Sequence, residues 1–200
     1  MHYLIYQLDE PCPTLLSPET LDPTEQEAYR RRGKRYLHIR TLLKRELSRH
    51  SGEPAERIRF TYNAQGKPHY APQPFNMSHS GDLLCLAFHH SDIGVDIEQI
   101  RPRRGMSAVA ERILCAEQLA AWHQRGSRVD EFFACWCAAE ALLKLEGKGI
   151  WQALQFPFLY REGHITPLFS TATRIELFTP APGYQGAIAW KTDEATPSVI

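Results

Sequence analysis

The chain has 200 residues, of which 43% are hydrophobic and 10% aromatic, enough apolar material for one sizeable core or two small packed lobes. Its formal net charge is zero, which argues against a protein that coats nucleic acid through bulk electrostatics. The five cysteines are odd in number and lie mostly in apolar runs. They predict reduced core residues in a reducing compartment and argue against a disulfide framework.

The opening residues, 1–6, form a short alternating apolar run that predicts a β-strand. No basic region precedes this run and acidic residues follow it, so it has neither the pattern of a signal peptide nor the length of a membrane span. We therefore expect a cytoplasmic protein with neither a membrane nor nucleic acid among its partners.

A long basic helix is predicted over residues 24–50, ending at Ser51 and Gly52. Between positions 30 and 49 the chain has nine Lys or Arg residues against one acid, Glu46, which predicts a local anion site. The side chains that could face inward from this helix are Tyr36, Leu37, Leu42, Leu43 and Leu47.

Alternating apolar residues predict further strands, and the helical period returns in the second half of the chain. The predicted strands cover residues 58–62, 83–88, 93–98, 174–178 and 184–190. The strands 83–88 and 93–98 are expected to form a hairpin through the polar turn at 89–92.

Two helices are predicted in the second half, at 106–125 and 130–146. The second would be entered through a capping-box-like spacing at 127–130 and closed by Gly147. The pattern indicates an α+β fold with small, mostly antiparallel sheets, in two lobes, 1–100 and 101–200, of ordinary small-domain size.

Two carboxylates share one face of the strand Gly94-Val95-Asp96-Ile97-Glu98, because alternation sends Val95 and Ile97 to the opposite face. Like charges at that spacing repel, and a bound hard cation would remove the repulsion. Mg²⁺ takes oxygen ligands from one or two carboxylates together with substrate phosphates. Taken alone, the pattern favours the simpler interpretation, a strand with a solvated polar face.

The helix at 132–146 is apolar almost all round, yet Glu140 lies in its middle with Lys144 one turn later. A charge on a largely buried helix requires a partner. The simpler alternative is an ion pair between these two residues alone.

Four motifs occur in an order that is typical of one family. They read Gly66-Lys67-Pro68, Phe75-Asn76-Met77-Ser78-His79-Ser80-Gly81, Gly94-Val95-Asp96-Ile97-Glu98 and Trp136-Cys137-Ala138-Ala139-Glu140-Ala141-Leu142-Leu143-Lys144, followed by Gly147-Lys148-Gly149. In these motifs the chain resembles the Sfp/AcpT-type 4′-phosphopantetheinyl transferases, or holo-acyl-carrier-protein synthases. The match spans roughly residues 66–149 and extends toward the N-terminus through 40–43. Each motif alone is weak evidence for the family, but four motifs in the same order are strong evidence.

The resemblance implies a pseudo-twofold arrangement of two similar α/β lobes with coenzyme A in the cleft between them. It implies transfer of phosphopantetheine from coenzyme A to a serine of an apo acyl carrier protein or peptidyl carrier domain, giving holo-carrier protein and 3′,5′-ADP. Asp96, Glu98 and Glu140 would hold Mg²⁺, which Mn²⁺ could replace at an all-oxygen site. Glu140 would act as the base and Lys144 would offset charge on the departing phosphate. A chain that completes its own cleft has no need to dimerise, so a monomer is expected.

By the same resemblance, Lys67, Ser78, His79 and Lys144 would contact coenzyme A, and the basic helix near Arg35 and Arg40 would meet its 3′-phosphate. Of the basic residues, Arg40 and Lys67 are the preferred candidates, although some of the cations at 30–35 have the simpler role of a solvated helix face. The sequence departs from the family at Ala139, where lysine is usual, so one cation of the phosphate site is absent.

Two other functions fit the same residues. Another Mg²⁺-dependent phosphoryl or nucleotidyl transferase would use the three carboxylates on a different nucleotide, since the acids determine the metal and not the substrate. A non-catalytic module binding coenzyme A or a carrier protein would explain Ala139, but has no evident need for a buried base at Glu140.

Overall fold

A computed structural model of the protein describes residues 1–12, 14–148, 158–168 and 170–192 and shows helices packed on small antiparallel sheets. The α+β prediction is confirmed. All five cysteines are free thiols, as their apolar surroundings predicted. Within the described part of the chain no helix is both long and apolar enough to cross a membrane.

The first sheet has the strand order β1-β5-β4 and is antiparallel throughout. Its strands are β1 (His2–Gln7), β4 (Phe75–Ser80) and β5 (Leu83–Phe88). Every residue of β5 is buried, as expected for a central strand made entirely of apolar residues. The short pair β2 (Thr61–Tyr62) and β3 (Pro68–His69) lies between the long helix α1 (Pro23–Ser51) and β4 in the chain.

The second sheet has the order β6-β10-β9 and contains the carboxylate strand. Its strands are β6 (Ile93–Gln99), β9 (Thr173–Phe178) and β10 (Tyr184–Lys191), each within one residue of its predicted bounds. A separate hairpin, β7 (Phe158–Arg161) with β8 (His164–Pro167), precedes β9 in the chain.

The predicted hairpin between β5 and β6 is wrong. Both edges of β5 are already paired, with β1 on one side and β4 on the other, so β6 joins β10 in the second sheet. The two sheets meet where β4 lies beside β6. Side chains bridge this junction: the Val95 amide donates to Asn76 Oδ1 at 3.2 Å, and the Gln99 amide to Ser80 Oγ at 3.1 Å.

The predicted strand at 58–62 is reduced to β2, two residues long. Ile58 and Phe60 are buried as an alternating strand requires, but only Thr61 and Tyr62 have a partner strand. That partner, β3, contains Pro68, which has no amide hydrogen to continue a ladder.

The basic helix α1 (Pro23–Ser51) folds back on itself at Gly33. In a straight helix Glu25 and Lys44 would lie about 28 Å apart, yet the Lys44 Nζ is 2.6 Å from Glu25 Oε2. Gly33 allows this with φ 69° and ψ −157°, a region open to almost no other residue. The sequence predicted the extent of this helix but not its corner.

The corner buries an ion pair inside the N-terminal half. Glu25 and Lys44 are both 0% exposed, and Arg40 Nε lies 3.5 Å from Glu25 Oε1. Burial lowers the pKa of Lys44, while its hydrogen bond with Glu25 opposes that shift. The apex of the corner, residues 30–35, presents exposed basic side chains.

The predicted helix at 106–125 is in fact two helices, α2 (Met106–Ile113) and α3 (Ala116–Gln124), because Leu114 and Cys115 adopt extended conformations. The next helix, α4 (Val129–Glu146), closes at Gly147 in the left-handed conformation as predicted. Its predicted capping box is wrong. The N-cap residue is Arg128, and Ser127 has a φ of 53° with its hydroxyl oxygen 3.0 Å from His123 Nδ1.

Helix α4 packs directly on β6, and Gly94 makes this close approach possible. A Cβ at Gly94 would overlap the carbonyl oxygen of Ala141 and lie 2.5 Å from the amide nitrogen of Leu145. The absence of a side chain at one strand position therefore brings the middle of α4 onto the carboxylate strand.

Candidate functional site

The carboxylates of β6 lie on the side of the strand that faces β4. Val95 and Ile97 point into a core cluster, so Asp96 and Glu98 share the other side, as the alternation predicted. The Ser78 hydroxyl donates to Asp96 Oδ1 at 2.7 Å, and the Ser80 hydroxyl donates to Glu98 Oε2 at 2.7 Å. Alternate residues of β4 thus hold both carboxylates in place.

Helix α4 supplies the opposite charge. The Lys144 Nζ donates to Asp96 Oδ1 at 2.7 Å and to the Val95 carbonyl at 3.1 Å. Burial lowers the pKa of Lys144, but the charge and hydrogen bond of Asp96 together with the nearby Glu140 and Cys137 raise the pKa overall, so the amine stays protonated. Lys144 therefore joins the strand and the helix in one charge cluster.

Glu140 is the third carboxylate of the cluster. Burial and the nearby charges of Asp96 and Glu98 raise its pKa to about 7, while Lys144 opposes the shift. The three predicted acids are thus close enough to repel one another, although they come from two elements more than forty positions apart.

The cluster offers the kind of oxygen ligand that a hard cation prefers. Within residues 1–12, 14–148, 158–168 and 170–192, no group of three or more His, Cys, Asp or Glu side chains is arranged so that it could hold a metal ion. However, Asp96 Oδ2 is buried and has no hydrogen-bond partner in the described structure. A buried carboxylate oxygen without a partner is costly, and a cation at that oxygen would remove the cost.

Lys67 lies at the C-terminal end of α4, where its Nζ donates to the Lys144 carbonyl at 2.6 Å. Burial lowers the pKa of this amine. It lines a cleft of about 250 Å³ together with Lys144, Lys148 and apolar residues of β4. Three lysines around one cleft form a site suited to an anion.

His79 is the one β4 residue of the predicted set that points away from the carboxylates. Desolvation and the cations Arg35, Lys144 and Arg32 lower its pKa, so these groups lie near one another. Arg35 also hydrogen-bonds the Gly81 carbonyl and lies 3.3 Å from Asp82 Oδ1. The exposed corner of α1 therefore borders the strand that carries His79.

The structure does not bring Arg40 to the carboxylate cluster. Arg40 is 6% exposed, donates from Nε to the Tyr36 hydroxyl at 2.9 Å, and belongs to the buried group around Glu25. Its contact with the 3′-phosphate stays a prediction. Ala139, at the position where lysine is usual in the family, is 2% exposed and belongs to the core cluster under α4. A lysine at this position would have to bury the aliphatic part of its side chain.

Sequence reasoning did not include Ser80, Asn76 and Arg103 among the candidate site residues, although all three hydrogen-bond to β6 or to its carboxylates. The first two could have been found, because Asn76, Ser78 and Ser80 alternate along one strand. Arg103 could not: its Nη2 donates to Glu98 Oε2 at 2.9 Å from a loop that shows no periodicity.

Comparison with known proteins identifies the family. Residues 92–189, which include β6 and α4, match the model of the 4′-phosphopantetheinyl transferase superfamily. The 4′-phosphopantetheinyl transferase psf-1 of Bacillus pumilus is 33% identical over 175 residues, covering 80% of this chain and 74% of that protein.

Two further relatives have the same description. The 4′-phosphopantetheinyl transferase AcpT of Escherichia coli K12 is 34% identical over 154 residues, covering 72% of this chain and 75% of that protein. The 4′-phosphopantetheinyl transferase Sfp of Bacillus subtilis 168 is 28% identical over 189 residues, covering 88% of this chain and 82% of that protein. With similarity to these relatives across most of its length, the chain belongs to the 4′-phosphopantetheinyl transferase superfamily and is a transferase of that class.

Proposed function

We propose that this protein transfers the 4′-phosphopantetheine group of coenzyme A to a serine of an apo acyl carrier protein or peptidyl carrier domain. The serine oxygen forms a bond to phosphorus, the bond from phosphorus to the 3′,5′-ADP oxygen breaks, and the serine proton passes to a base. The observation that carries the proposal is the cluster of Asp96, Glu98 and Glu140, in which Lys144 pairs with Asp96, beside a lysine-lined cleft.

Asp96, Glu98 and Glu140 would hold a divalent cation, Mg²⁺ or Mn²⁺, which when bound would neutralise charge on the pyrophosphate. The unpartnered Asp96 Oδ2 and the mutual repulsion of the three acids support this assignment. Ser78 and Ser80 would keep the two strand carboxylates in orientation through their 2.7 Å hydrogen bonds.

Glu140 is the proposed base, since it is the carboxylate of the cluster placed on α4 next to Lys144. Burial beside other acids makes it a better proton acceptor than an ordinary glutamate. Lys144, kept protonated by Asp96, would offset the charge that develops on the departing phosphate. Both roles require α4 to stay against β6.

The phosphates of coenzyme A would lie in the cleft lined by Lys67, Lys144 and Lys148. His79, further along β4, and Arg35, on α1, would offer additional contacts outside this cleft. The cleft lies where the loop at 65–68 and the end of α4 meet, and the hydrogen bond from Lys67 to the Lys144 carbonyl joins the two. We also propose that the chain forms two lobes that meet near residue 100 and that it is a cytoplasmic monomer. The basic helix would contact the 3′-phosphate of coenzyme A.

The test of the function is the intact mass of an apo acyl carrier protein after incubation with this protein, coenzyme A and Mg²⁺. We expect a gain of one phosphopantetheine, and no gain when EDTA is present. A protein that binds coenzyme A but modifies none of several acyl and peptidyl carriers would contradict the proposal.

Replacing Lys67 with Met is expected to weaken coenzyme A binding by about 10- to 100-fold, because a hydrogen bond to a charged group contributes about 1.5–3 kcal/mol. Calorimetric titration with coenzyme A measures the change. Lys191→Met, at the exposed end of β10, is the matched control and should bind normally. Unchanged affinity in a folded Lys67→Met protein would mean that Lys67 only caps α4.

Replacing Ser78 with Ala is expected to reduce metal affinity and transfer rate together by about 10- to 100-fold, the usual effect of removing a residue that orients a metal ligand. Mn²⁺ titration and the rate at saturating coenzyme A measure the two effects. Ser107→Ala, on the exposed face of α2, is the control. A raised KM for coenzyme A with normal metal affinity would instead support a direct contact between Ser78 and the phosphates.

A further inference from the structure

Glu98 is held by two donors of different charge. Its Oε2 accepts hydrogen bonds from the Ser80 hydroxyl at 2.7 Å and from Arg103 Nη2 at 2.9 Å. A neutral hydroxyl can stay bonded to a carboxylate that also binds a cation. A guanidinium carries charge of the same sign as a metal ion, so it opposes metal binding at the same carboxylate.

Arg103 contacts Glu98 from a loop and is partly exposed, so it is not fixed in place by a helix or strand. It lies in the loop between β6 and α2, and its side chain is 40% exposed. Its guanidinium is already 5.3 Å from the centre of the Phe133 ring, a second favourable position for a cation. Removing it from Glu98 therefore costs little more than one partly exposed ion pair.

Lys144, the other cation of the cluster, is held more firmly. It comes from a helix that packs on β6, and its amine bonds both Asp96 and the Val95 carbonyl. Three carboxylates thus face two cations, of which the one on the loop is the easier to displace.

We propose that Arg103 is a positioning residue that acts as a displaceable counter-ion, holding Glu98 in the metal-free protein and releasing it when a divalent cation binds. This inference rests on the metal assignment of the proposed function. It implies that Arg103 stabilises the metal-free cluster and weakens metal affinity, so the residue sets the metal concentration at which the site fills.

The test is a Mn²⁺ titration of the full chain, with free Mn²⁺ followed by electron paramagnetic resonance. Arg103→Gln is expected to bind Mn²⁺ about two- to fivefold more tightly than the natural chain, the size expected for loss of one partly exposed ion pair. Arg103→Lys, which keeps the charge, should stay close to the natural affinity. Arg104→Gln removes one charge from the same loop and measures the general electrostatic effect, which should be smaller.

Thermal unfolding gives an independent readout. Arg103→Gln should lower Tm in EDTA but not in saturating Mn²⁺, since the natural Arg103 stabilises only the metal-free cluster. An equal gain in Mn²⁺ affinity in Arg103→Gln and Arg104→Gln would overturn the inference, because the loss of one positive charge would then explain the gain. Weaker Mn²⁺ binding by Arg103→Gln would also overturn it, because Arg103 would then orient Glu98 for the metal.

An Asp96→Asn reference separates this inference from the proposed function. Loss of Mn²⁺ binding in Asp96→Asn with unchanged binding in Arg103→Gln would leave the metal site standing and overturn the counter-ion alone. Absence of Mn²⁺ binding in the natural chain would overturn both, as the carboxylates would then hold no divalent cation.

Discussion

Replacing Glu140 with Gln is expected to reduce phosphopantetheine transfer by about 10²- to 10⁴-fold, the usual contribution of a positioned general base. The amide keeps the shape of the side chain but accepts no proton at neutral pH. The rate at saturating coenzyme A and carrier protein, followed by intact mass, measures the loss. Glu111→Gln, on the exposed face of α2, is the control and should be fully active.

The same substitution is expected to stabilise the metal-free protein, with a rise in Tm of at least about 2 °C at pH 8. Burial beside Asp96 and Glu98 raises the folded-state pKa of Glu140 to about 7 from 4.5, so its ionised form disfavours folding. This penalty is full above pH 7, diminishes as the pH falls, and is absent below the unfolded pKa of 4.5. The gain in Tm should therefore be smaller at pH 5 than at pH 8.

Two outcomes would contradict this account of Glu140. Near-normal transfer by a folded Glu140→Gln protein would mean that another group accepts the serine proton. A lower Tm in EDTA at pH 8 would mean that Glu140 is held by favourable partners and not strained by the neighbouring acids. Loss of activity together with gain of stability is the combination expected of a residue kept for function.

Replacing Gly94 with Ala is expected to destabilise the protein by about 3 kcal/mol or more, the upper range for overpacking a tight interior. The new Cβ would overlap the Ala141 carbonyl oxygen and lie 2.5 Å from the Leu145 amide nitrogen. Both obstacles are helix backbone, which cannot turn aside as a side chain can. Helix α4 would have to move away from β6, separating Glu140 and Lys144 from Asp96.

Thermal unfolding and transfer assays measure the two consequences. A loss of about 3 kcal/mol corresponds to a fall in Tm of about 6–12 °C for a chain of this size. Gly126→Ala is the matched control: its φ of 79° costs alanine about 1–2 kcal/mol, but a Cβ there meets nothing within 4 Å. Equal Tm values for the two variants, with full activity in Gly94→Ala, would mean that the close approach of α4 is not needed.

Where the bounds of a helix or strand follow from the local sequence pattern, they were predicted to within about one residue. Six consecutive apolar residues identified β5, and Gly147 marked the end of α4 because a left-handed C-cap favours glycine. Errors occurred where local patterns allow several outcomes. The polar turn after β5 was typical of a hairpin, but pairing depends on which strand edges remain free, and β1 and β4 had filled both.

The sequence by itself determined the chemistry of the candidate site. Strand alternation places Asp96 and Glu98 on one face, and helical spacing places Glu140 and Lys144 one turn apart. The motifs around these residues resemble one family, and comparison over most of the chain confirms membership.

Only the tertiary structure decided which residues meet. The Lys144 amine reaches Asp96, Ser80 and Arg103 share Glu98, and Lys67 lies at the end of α4. Such contacts join positions up to 77 residues apart, whereas periodicity reports only which face a side chain takes on its own element. The neighbours of a side chain follow from how helices and strands pack, and here that packing depends on the missing Cβ of Gly94.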